Sequence, residues 1–281
     1  MTDEPLSIDL GRYRIAPGEP PRLAERDTAD TQGFVEERDE DRVDAQVRAN
    51  QEALQDLQER LFAEKRQALL LVLQAMDTAG KDSTIEHVVG PLNPQGVRVW
   101  NFGVPSEKEA QHDFLWRIHK RVPGHGYVGV FNRSHYEDVL VVRVKELADP
   151  ETVERRYGHI NAFERLLHDE GTRVVKVMLH ISKDYQRERL RRRLRRPDKH
   201  WKFNPGDLKD RARWDDYQEA YEIALTRCST EHAPWYVVPA EERWYRDLVI
   251  SQLLLETLRD MDPQFPAPTF DPADYPPDSI E

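Results

Sequence analysis

The sequence has little cysteine and no long hydrophobic run. Its 281 residues include a single cysteine, Cys228, so no intramolecular disulfide can form and a Cys-rich metal site is excluded. The longest apolar run, residues 69–73, is far too short to cross a bilayer, so no membrane association is expected. The N-terminus lacks the basic start and the apolar stretch of a secretion signal, and we therefore expect a cytoplasmic protein.

The chain also lacks an excess of positive charge. It has 41 Lys and Arg against 52 Asp and Glu, a formal net charge of −11, which argues against a general nucleic-acid binder. Charged residues make up 33% and hydrophobic residues 38% of the chain. This length and composition fit one larger α/β domain or two small ones, with charged helices around a substantial core.

Hydrophobic periodicity predicts the fold class. Apolar residues at helical spacing predict a long amphipathic helix over residues 43–61. Five apolar runs then alternate with helical patterns, which predicts a three-layer α/β sandwich with a five-stranded parallel sheet and helices on both faces. The predicted strands are 68–74, 97–102, 127–131, 173–181 and 235–238, and the predicted helices are 81–89, 106–121, 150–168, 183–196, 208–226 and 242–260.

Composition divides the chain into three parts. Residues 1–37 mix Pro, Gly, Asp and Arg without an apolar period, and we interpret them as an N-terminal arm. Residues 262–281 contain six prolines and are predicted to form a C-terminal tail. No interior linker or repeat is visible between these ends. We therefore predict a single domain over residues 38–261.

The first core strand leads into an incomplete phosphate-binding loop. The usual pattern is Gly, four residues, then Gly-Lys-Ser/Thr, but here Ala75 takes the first Gly position and Asp82 follows Lys81. Gly80 still lets the backbone approach an anion, and the following helix offers amide donors and a positive dipole end. The residues expected to contact phosphate in this loop are Ala79, Gly80, Lys81, Asp82, Ser83 and Thr84.

Asp77 lies inside this loop. A carboxylate beside phosphate is repelled unless a divalent cation lies between them, so we interpret Asp77 as a magnesium ligand, directly or through water. The alternative is a plain strand-to-helix turn that Asp77 caps. The strand before the loop and the helix after it favour the phosphate site.

A second group of polar residues follows the third predicted strand, where ligands collect in open α/β sheets. Phosphate-loop enzymes commonly place a metal-binding Asp there, but this chain has Asn132. Arg133 is a candidate bidentate clamp for the transferred phosphoryl group. Glu137 could hold a nucleotide or accept a proton, or be a surface charge of the loop. His135 is interpreted as structural.

Residues 187–202 form a strongly basic segment. They include nine Lys and Arg against two acidic residues, a local net charge of +7 on an acidic protein. So dense a cluster is costly without an anionic partner, and Arg189 and Arg193 lie on one helical face. We predict a mobile helical lid over the loop, at about residues 183–226. The alternatives are a solvated helix paired with acidic neighbours, or a nucleic-acid site, which the overall charge and the lack of interleaved aromatics disfavour.

Together these features indicate phosphoryl transfer, with a long phosphate chain as donor or acceptor. Three segments of the sequence resemble the polyphosphate kinase 2 family: QAMDTAGKD at 74–82, FNRSHYE at 131–137 and PDKHWKF at 197–203. The resemblance implies a thymidylate-kinase-like phosphate-loop fold and reversible, Mg²⁺-dependent phosphoryl transfer between inorganic polyphosphate and nucleotides, with Mn²⁺ as an alternative cofactor. It also implies a homodimer or homotetramer.

The resemblance assigns roles to individual residues. Asp77 would organise the metal, and Lys81 and Arg133 would bind the transferred phosphate as the other catalytic residues. The residues implied to bind polyphosphate are Arg189, Arg193, Lys199 and Lys202. Ala75 departs from the Gly usual in the family, and Asn132 from the Asp of many members. Asn132 and Glu137 would contact the nucleotide and resemble the branch that accepts both AMP and ADP.

Two other functions stay open at this point. The chain could be a kinase that uses ATP as its donor, acting on a nucleoside monophosphate or another small molecule. It could also be a polyanion-binding protein without catalytic activity, because Ala75 and Asn132 both depart from the usual active-site pattern. Activity with polyphosphate as the donor distinguishes the leading hypothesis from both.

Overall fold

The computed structural model describes residues 6–276 and 280. Its strands are β1 (Arg14–Ile15), β2 (Ala68–Ala75), β3 (Val97–Asn101), β4 (Val128–Asn132), β5 (Thr172–His180) and β6 (Trp235–Pro239). They form one sheet with the order β1-β6-β5-β2-β4-β3. β1 is antiparallel to β6, and the other neighbouring strands are parallel.

Helices of very different length surround this sheet. They are α1 (Glu36–Glu64), α2 (Lys81–Thr84), α3 (Glu107–Ala110), α4 (Trp116–His119), α5 (Val141–Val144), α6 (Pro150–Asp169), α7 (Lys183–Arg195), α8 (Gly206–Ala212), α9 (Trp214–Cys228) and α10 (Arg243–Met261). A π-helical turn, Ile85–Val89, continues α2. Within residues 6–276 and 280, no helix is both long enough and apolar enough to span a membrane.

The sheet is covered on both faces. Residues 68–74 of β2, the central strand, are buried without alternation, as expected for a parallel strand between two helical layers. α1 packs along α10, while α5, α6 and α9 pack together as a second group. The three-layer α/β architecture predicted from the apolar runs is therefore confirmed, with the hydrophobic core on both sides of β2 and β5.

The predicted number of strands is wrong. The sequence indicated five strands, but the sheet of the described residues has six, because Arg14–Ile15 pairs antiparallel with β6. Two residues are too few to show an alternating pattern. Tyr13 and Leu23, which flank this strand, are buried, and the Leu23 carbonyl lies 3.0 Å from Nε2 of His180. The division of the chain at residues 37 and 261 stays a prediction.

Two predicted helices are interrupted. Residues 106–121 form α3 and α4, separated by a turn in which Asp113 Oδ1 accepts a hydrogen bond from the Leu115 N–H. A side-chain acceptor of this kind competes with helical hydrogen bonding. Residues 208–226 fall in α8 and α9, which are divided at Arg213, where the backbone leaves the helical region at φ −100° and ψ 27°.

Candidate functional site

Two loops leave the sheet side by side at its carboxyl edge. β2 and β4 are neighbours, with Leu73 of β2 in register with Asn132 of β4. The loop that follows β2, residues 76–80, therefore lies beside the loop that follows β4, residues 133–138. Ligands of open α/β sheets bind at this edge, and the topology brings the two predicted groups of polar residues together there.

The phosphate loop has a constrained backbone. Thr78 and Gly80 adopt positive φ angles of 73° and 108°, and Gly80 precedes the first residue of α2. The ammonium group of Lys81 lies within the loop, where its Nζ donates a hydrogen bond to the carbonyl of Ala75 at 3.0 Å. Burial lowers the pKa of Lys81, although the negative charge of Asp77 opposes this shift. The loop therefore holds a desolvated cation whose hydrogen bond, within the described part of the chain, goes to a neutral carbonyl.

Arg133 extends from the second loop to the first. Its Nη2 lies 3.0 Å from Oδ1 of Asp77, and its backbone has φ = 62°, in the left-handed region that non-glycine residues seldom adopt. Burial alone would lower the pKa of Arg133, but Glu137 and Asp77 together raise it. A permanently charged guanidinium is thus held at the mouth of the phosphate loop by a strained backbone, an arrangement typical of functional sites.

Asn132 and Glu137 fasten the two loops to each other. Asn132 Nδ2 donates to Oδ1 of Asp82 at 2.8 Å, and Gln74 Nε2 donates to Oε1 of Glu137 at 2.9 Å. Ser134 Oγ also contacts the oxygen of the Gln74 amide at 3.3 Å. These contacts join β2, its loop and α2 to the loop after β4.

A buried polar cluster supports the loop after β4 from below. The carboxylate of Glu164 accepts hydrogen bonds from Lys176 Nζ at 2.5 Å and from the Tyr136 hydroxyl at 2.9 Å, and it lies 3.1 Å from His135 Nε2. All four side chains are fully buried. Burial would raise the pKa of Glu164, but the Lys176 ammonium and the contact with His135 hold it below its usual value. The structural role predicted for His135 agrees with these contacts.

One cavity of about 630 Å³ collects most of the predicted site residues. Eleven of them line it: Asp77, Gly80, Lys81, Asp82, Ser83, Asn132, Arg133, Arg189, Arg193, Lys199 and Lys202. Three others do not. Ala79, within the loop, and Thr84, in α2, are buried away from the cavity, and Glu137 accepts a hydrogen bond from Gln74 behind the loop.

The cavity is strongly electropositive. Among the described residues, nine basic and three acidic side chains line it. Burial lowers the pKa of Arg189, and the neighbouring Arg243, Arg192 and Arg193 lower it further. These arginines repel one another across the cavity, so an anion with several charges would relieve an electrostatic cost already present in the fold.

Sequence reasoning missed four charged residues of the cavity: Arg192, Arg196, Asp207 and Arg243. Arg192 lies three residues after Arg189 on α7, a spacing that could have revealed it, whereas Arg196 follows the last residue of α7 with an extended backbone. Arg243 begins α10, and Asp207 lies near the start of α8, remote in sequence from both loops. Neither has a local pattern that indicates a site.

Asp207 is the carboxylate least expected in such a cavity. Its Oδ2 lies 3.3 Å from Nη1 of Arg193, which also donates to the carbonyl of Lys202 at 3.0 Å. Burial and the charge of Asp77 raise the pKa of Asp207 to about 6, although Arg193 and Arg133 oppose the shift. Asp207 therefore changes charge close to neutral pH.

The donor set suits a magnesium ion that is shared with a substrate. Among the described residues, no three His, Cys, Asp or Glu side chains gather as a metal site. Mg²⁺ in phosphoryl-transfer enzymes usually binds through one or two carboxylates and the phosphates of its substrate. Asp77 and Asp207 provide carboxylates in the same cavity as the phosphate loop.

Comparisons with known proteins agree with this geometry. The sequence model of Polyphosphate kinase 2 matches residues 37–266, which include both loops and the basic segment. The chain belongs to the polyphosphate kinase 2 family. The crystal structure of a polyphosphate kinase 2 from Arthrobacter aurescens TC1 superimposes with a TM-score of 0.88 at 48% identity, covering 93% of each chain.

Curated members of the polyphosphate kinase 2 family match over nearly the whole chain. An AMP/ADP-polyphosphate phosphotransferase of Meiothermus ruber is 51% identical over 259 residues, which cover 92% of this chain and 96% of that protein. An ADP-polyphosphate phosphotransferase of Rhodopseudomonas palustris is 42% identical over 276 residues, covering 94% of each.

Proposed function

We propose that this polyphosphate kinase 2 transfers phosphoryl groups between inorganic polyphosphate and nucleotides, and phosphorylates AMP to ADP and ADP to ATP. One observation carries the proposal: the phosphate loop and the basic segment 187–202 line the same cavity. A nucleotide kinase needs the loop, whereas the additional cationic side chains suit a long polyanion. The names of the two curated relatives support the same reaction.

The reaction breaks the terminal phosphoanhydride bond of polyphosphate and forms a new bond to an oxygen of the acceptor phosphate. The polyphosphate chain is shortened by one unit, no water is consumed, and the acceptor oxygen is already ionised, so no general base is required. Catalysis then consists of positioning and charge neutralisation. Lys81 and Arg133 are proposed to bind the transferred group, because the Lys81 ammonium lies within the loop and the Arg133 guanidinium lies beside it on Asp77.

Asp77 is the proposed ligand of Mg²⁺, and Mn²⁺ could replace it. The bound ion would neutralise part of the charge on the phosphates. Asp82 is a weaker candidate because its carboxylate already accepts the amide of Asn132. With Asp77 holding the ion, its ion pair with Arg133 would be weakened, and the guanidinium would be available to phosphate.

The basic segment is proposed to act as a lid over the polyphosphate chain. Arg189, Arg193, Lys199 and Lys202 were predicted for this role, and Arg192, Arg196 and Arg243 extend the same surface. α7 is connected to the phosphate loop at its base, where Gln186 Nε2 donates to the Asp77 carbonyl at 3.1 Å. The remainder of the segment lies on the surface, and most of its side chains are exposed.

We also propose that the enzyme accepts both AMP and ADP. Asn132 contributes a neutral amide where a carboxylate would repel an additional phosphate, and this amide donates a hydrogen bond to Asp82. The relative from Meiothermus ruber is named for both acceptors. A nucleotide-binding role for Asn132 and Glu137, assembly as a homodimer or homotetramer, and a cytoplasmic location stay predictions.

The test is an assay of nucleotide products with long-chain polyphosphate and Mg²⁺, starting separately from AMP and from ADP. The proposal predicts ADP and ATP from AMP, and ATP from ADP. Product from ADP alone would refute the broad acceptor range. Transfer from ATP to AMP without any transfer from polyphosphate would indicate an ATP-dependent kinase, and binding of polyphosphate without product would indicate a non-catalytic protein.

A further inference from the structure

A buried arginine lies directly beneath the phosphate loop. Arg246, on α10, is fully buried. Its Nε and Nη2 donate to Oδ1 of Asp247 at 2.8 and 2.6 Å. Its third nitrogen, Nη1, has no hydrogen-bond partner among the described residues. A buried donor without a partner costs free energy, so its retention calls for an explanation.

The unpartnered nitrogen faces the residue that precedes Lys81. A Cβ atom at Gly80 would lie only 2.4 Å from Nη1 of Arg246 and 3.5 Å from its Cζ. The guanidinium therefore lies against the backbone of the loop on the interior side. Two features therefore favour glycine at position 80. Its φ of 108° would strain other residues, and the Arg246 guanidinium occupies the space that a side chain would need.

Other side chains hold this arginine in place. Oδ2 of Asp247 lies 3.0 Å from Nδ1 of His87, so Asp247 contacts Arg246 with one oxygen and His87 with the other. His87 belongs to the π-helical turn that continues α2, and its carbonyl accepts a hydrogen bond from Gln51 of α1 at 2.8 Å. The guanidinium is thus held between α10 and the π-helical turn that continues α2, the helix that follows the phosphate loop.

A loop that binds phosphate turns successive N–H groups toward the anion, which directs its carbonyl groups away from it. Nη1 of Arg246 is a rigid donor on that interior side, available to such a carbonyl because the other two nitrogens are held by Asp247. We propose that Arg246 is a positioning residue of the phosphate loop, held by Asp247 and His87, which supports the loop in its phosphate-binding conformation. This inference rests on the proposed function, because it assigns the loop to the transferred phosphoryl group.

The first test is the Arg246→Lys variant, which keeps the positive charge and a donor for Asp247 but removes the planar guanidinium. We expect a fall in kcat of about 10- to 100-fold, because small displacements at a reacting centre are that costly. We also expect weaker binding of pyrophosphate in calorimetry, about tenfold in Kd, with Lys81→Ala identifying the part of the binding that belongs to the loop. Arg259→Lys, an exposed position on the same helix, is the control.

Calorimetry needs no turnover, so it separates this inference from the proposed reaction. A role confined to stability would lower the unfolding temperature but leave the kcat per folded molecule and the pyrophosphate Kd at the parent values. If folded Arg246→Lys keeps the parent's kcat or the parent's Kd for pyrophosphate, the proposal is overturned. If that variant does not fold, His87→Ala decides. His87 is half exposed, so its removal should leave a folded protein with a several-fold lower kcat, and an unchanged kcat would overturn the proposal.

Discussion

The guanidinium of Arg133 lies 3.0 Å from the carboxylate of Asp77 and so joins the loops that follow β4 and β2. Each residue is the other's ion-pair partner. Both roles proposed for them require a different partner, phosphate for Arg133 and a metal ion for Asp77. Substrate and metal binding are therefore expected to exchange this ion pair for two new ones.

Arg133→Lys tests the clamp. Lysine keeps the charge but cannot form two parallel hydrogen bonds to phosphate. We expect kcat to fall about 100-fold, comparable to the loss of one donor to a developing anionic charge. The unfolding temperature should stay near that of the parent. Steady-state kinetics with AMP and polyphosphate measure the effect, and Arg143→Lys, whose guanidinium contacts Glu154 outside the cavity, is the control. Equal kcat values in both variants would contradict the role.

Asp77→Asn tests the proposed metal ligand. An amide is a weaker Mg²⁺ ligand than a carboxylate, so the Mg²⁺ concentration at half-maximal velocity should rise about tenfold or more. A titration of activity with Mg²⁺ at saturating polyphosphate gives this value. Asp82→Asn should shift it less, because Asp82 already accepts the amide of Asn132. The same Mg²⁺ dependence in Asp77→Asn and the parent would exclude Asp77 as a ligand.

Arg192→Ala tests the polyphosphate surface. Both arginines are exposed, but Arg192 lines the cavity, whereas its neighbour Arg191 lies outside it and contacts Glu188 at 2.9 Å. Alanine at position 192 should raise the KM for long-chain polyphosphate about tenfold, as expected for loss of a charged hydrogen bond, and leave the KM for AMP unchanged. Arg191→Ala removes the same charge outside the cavity and should change neither. Equal increases in both variants would indicate an effect of net charge alone.

Asp207 predicts a pH dependence. Its pKa is raised to about 6, so it is mostly neutral at pH 5 and mostly charged at pH 7. When charged, it repels polyphosphate and holds Arg193. The ratio of the parent's KM for polyphosphate to that of Asp207→Asn should therefore be near one at pH 5. It should rise to about fivefold at pH 7, which corresponds to about 1 kcal/mol.

This ratio cancels the titration of polyphosphate itself, because both proteins use the same substrate. It also cancels effects of pH on groups that the two proteins share. A ratio that stays constant between pH 5 and pH 7 would contradict the proposed titration of Asp207.

The sequence predicted the parallel part of the sheet well because its buried strands are continuous apolar runs. The predicted strand 68–74 is observed as Ala68–Ala75, and 235–238 as Trp235–Pro239. β1 was missed because its two residues carry no strand pattern of their own and form a strand only by pairing with β6. Side-chain hydrogen bonds such as that of Asp113 interrupted a helix whose hydrophobic period continues.

The candidate site could also be predicted only in part. Residues within the two loops could be found because each follows a recognisable strand. Arg243 and Asp207 could not, because their place in the cavity depends on how α10 and α8 pack. Arg246 could not be found from the sequence either, since α10 contains three arginines and no local pattern distinguishes the one that is buried against the phosphate loop.

The most direct test of the account is the initial rate of phosphoryl transfer from long-chain polyphosphate to AMP with Mg²⁺. It should be measured in parallel for the parent and for Lys81→Ala, per folded molecule. We expect ADP followed by ATP from the parent, and a rate at least about 100-fold lower from Lys81→Ala. A parent that forms no nucleotide product, or a Lys81→Ala variant that keeps the parent's rate, would refute the proposed reaction and the role of the phosphate loop in it.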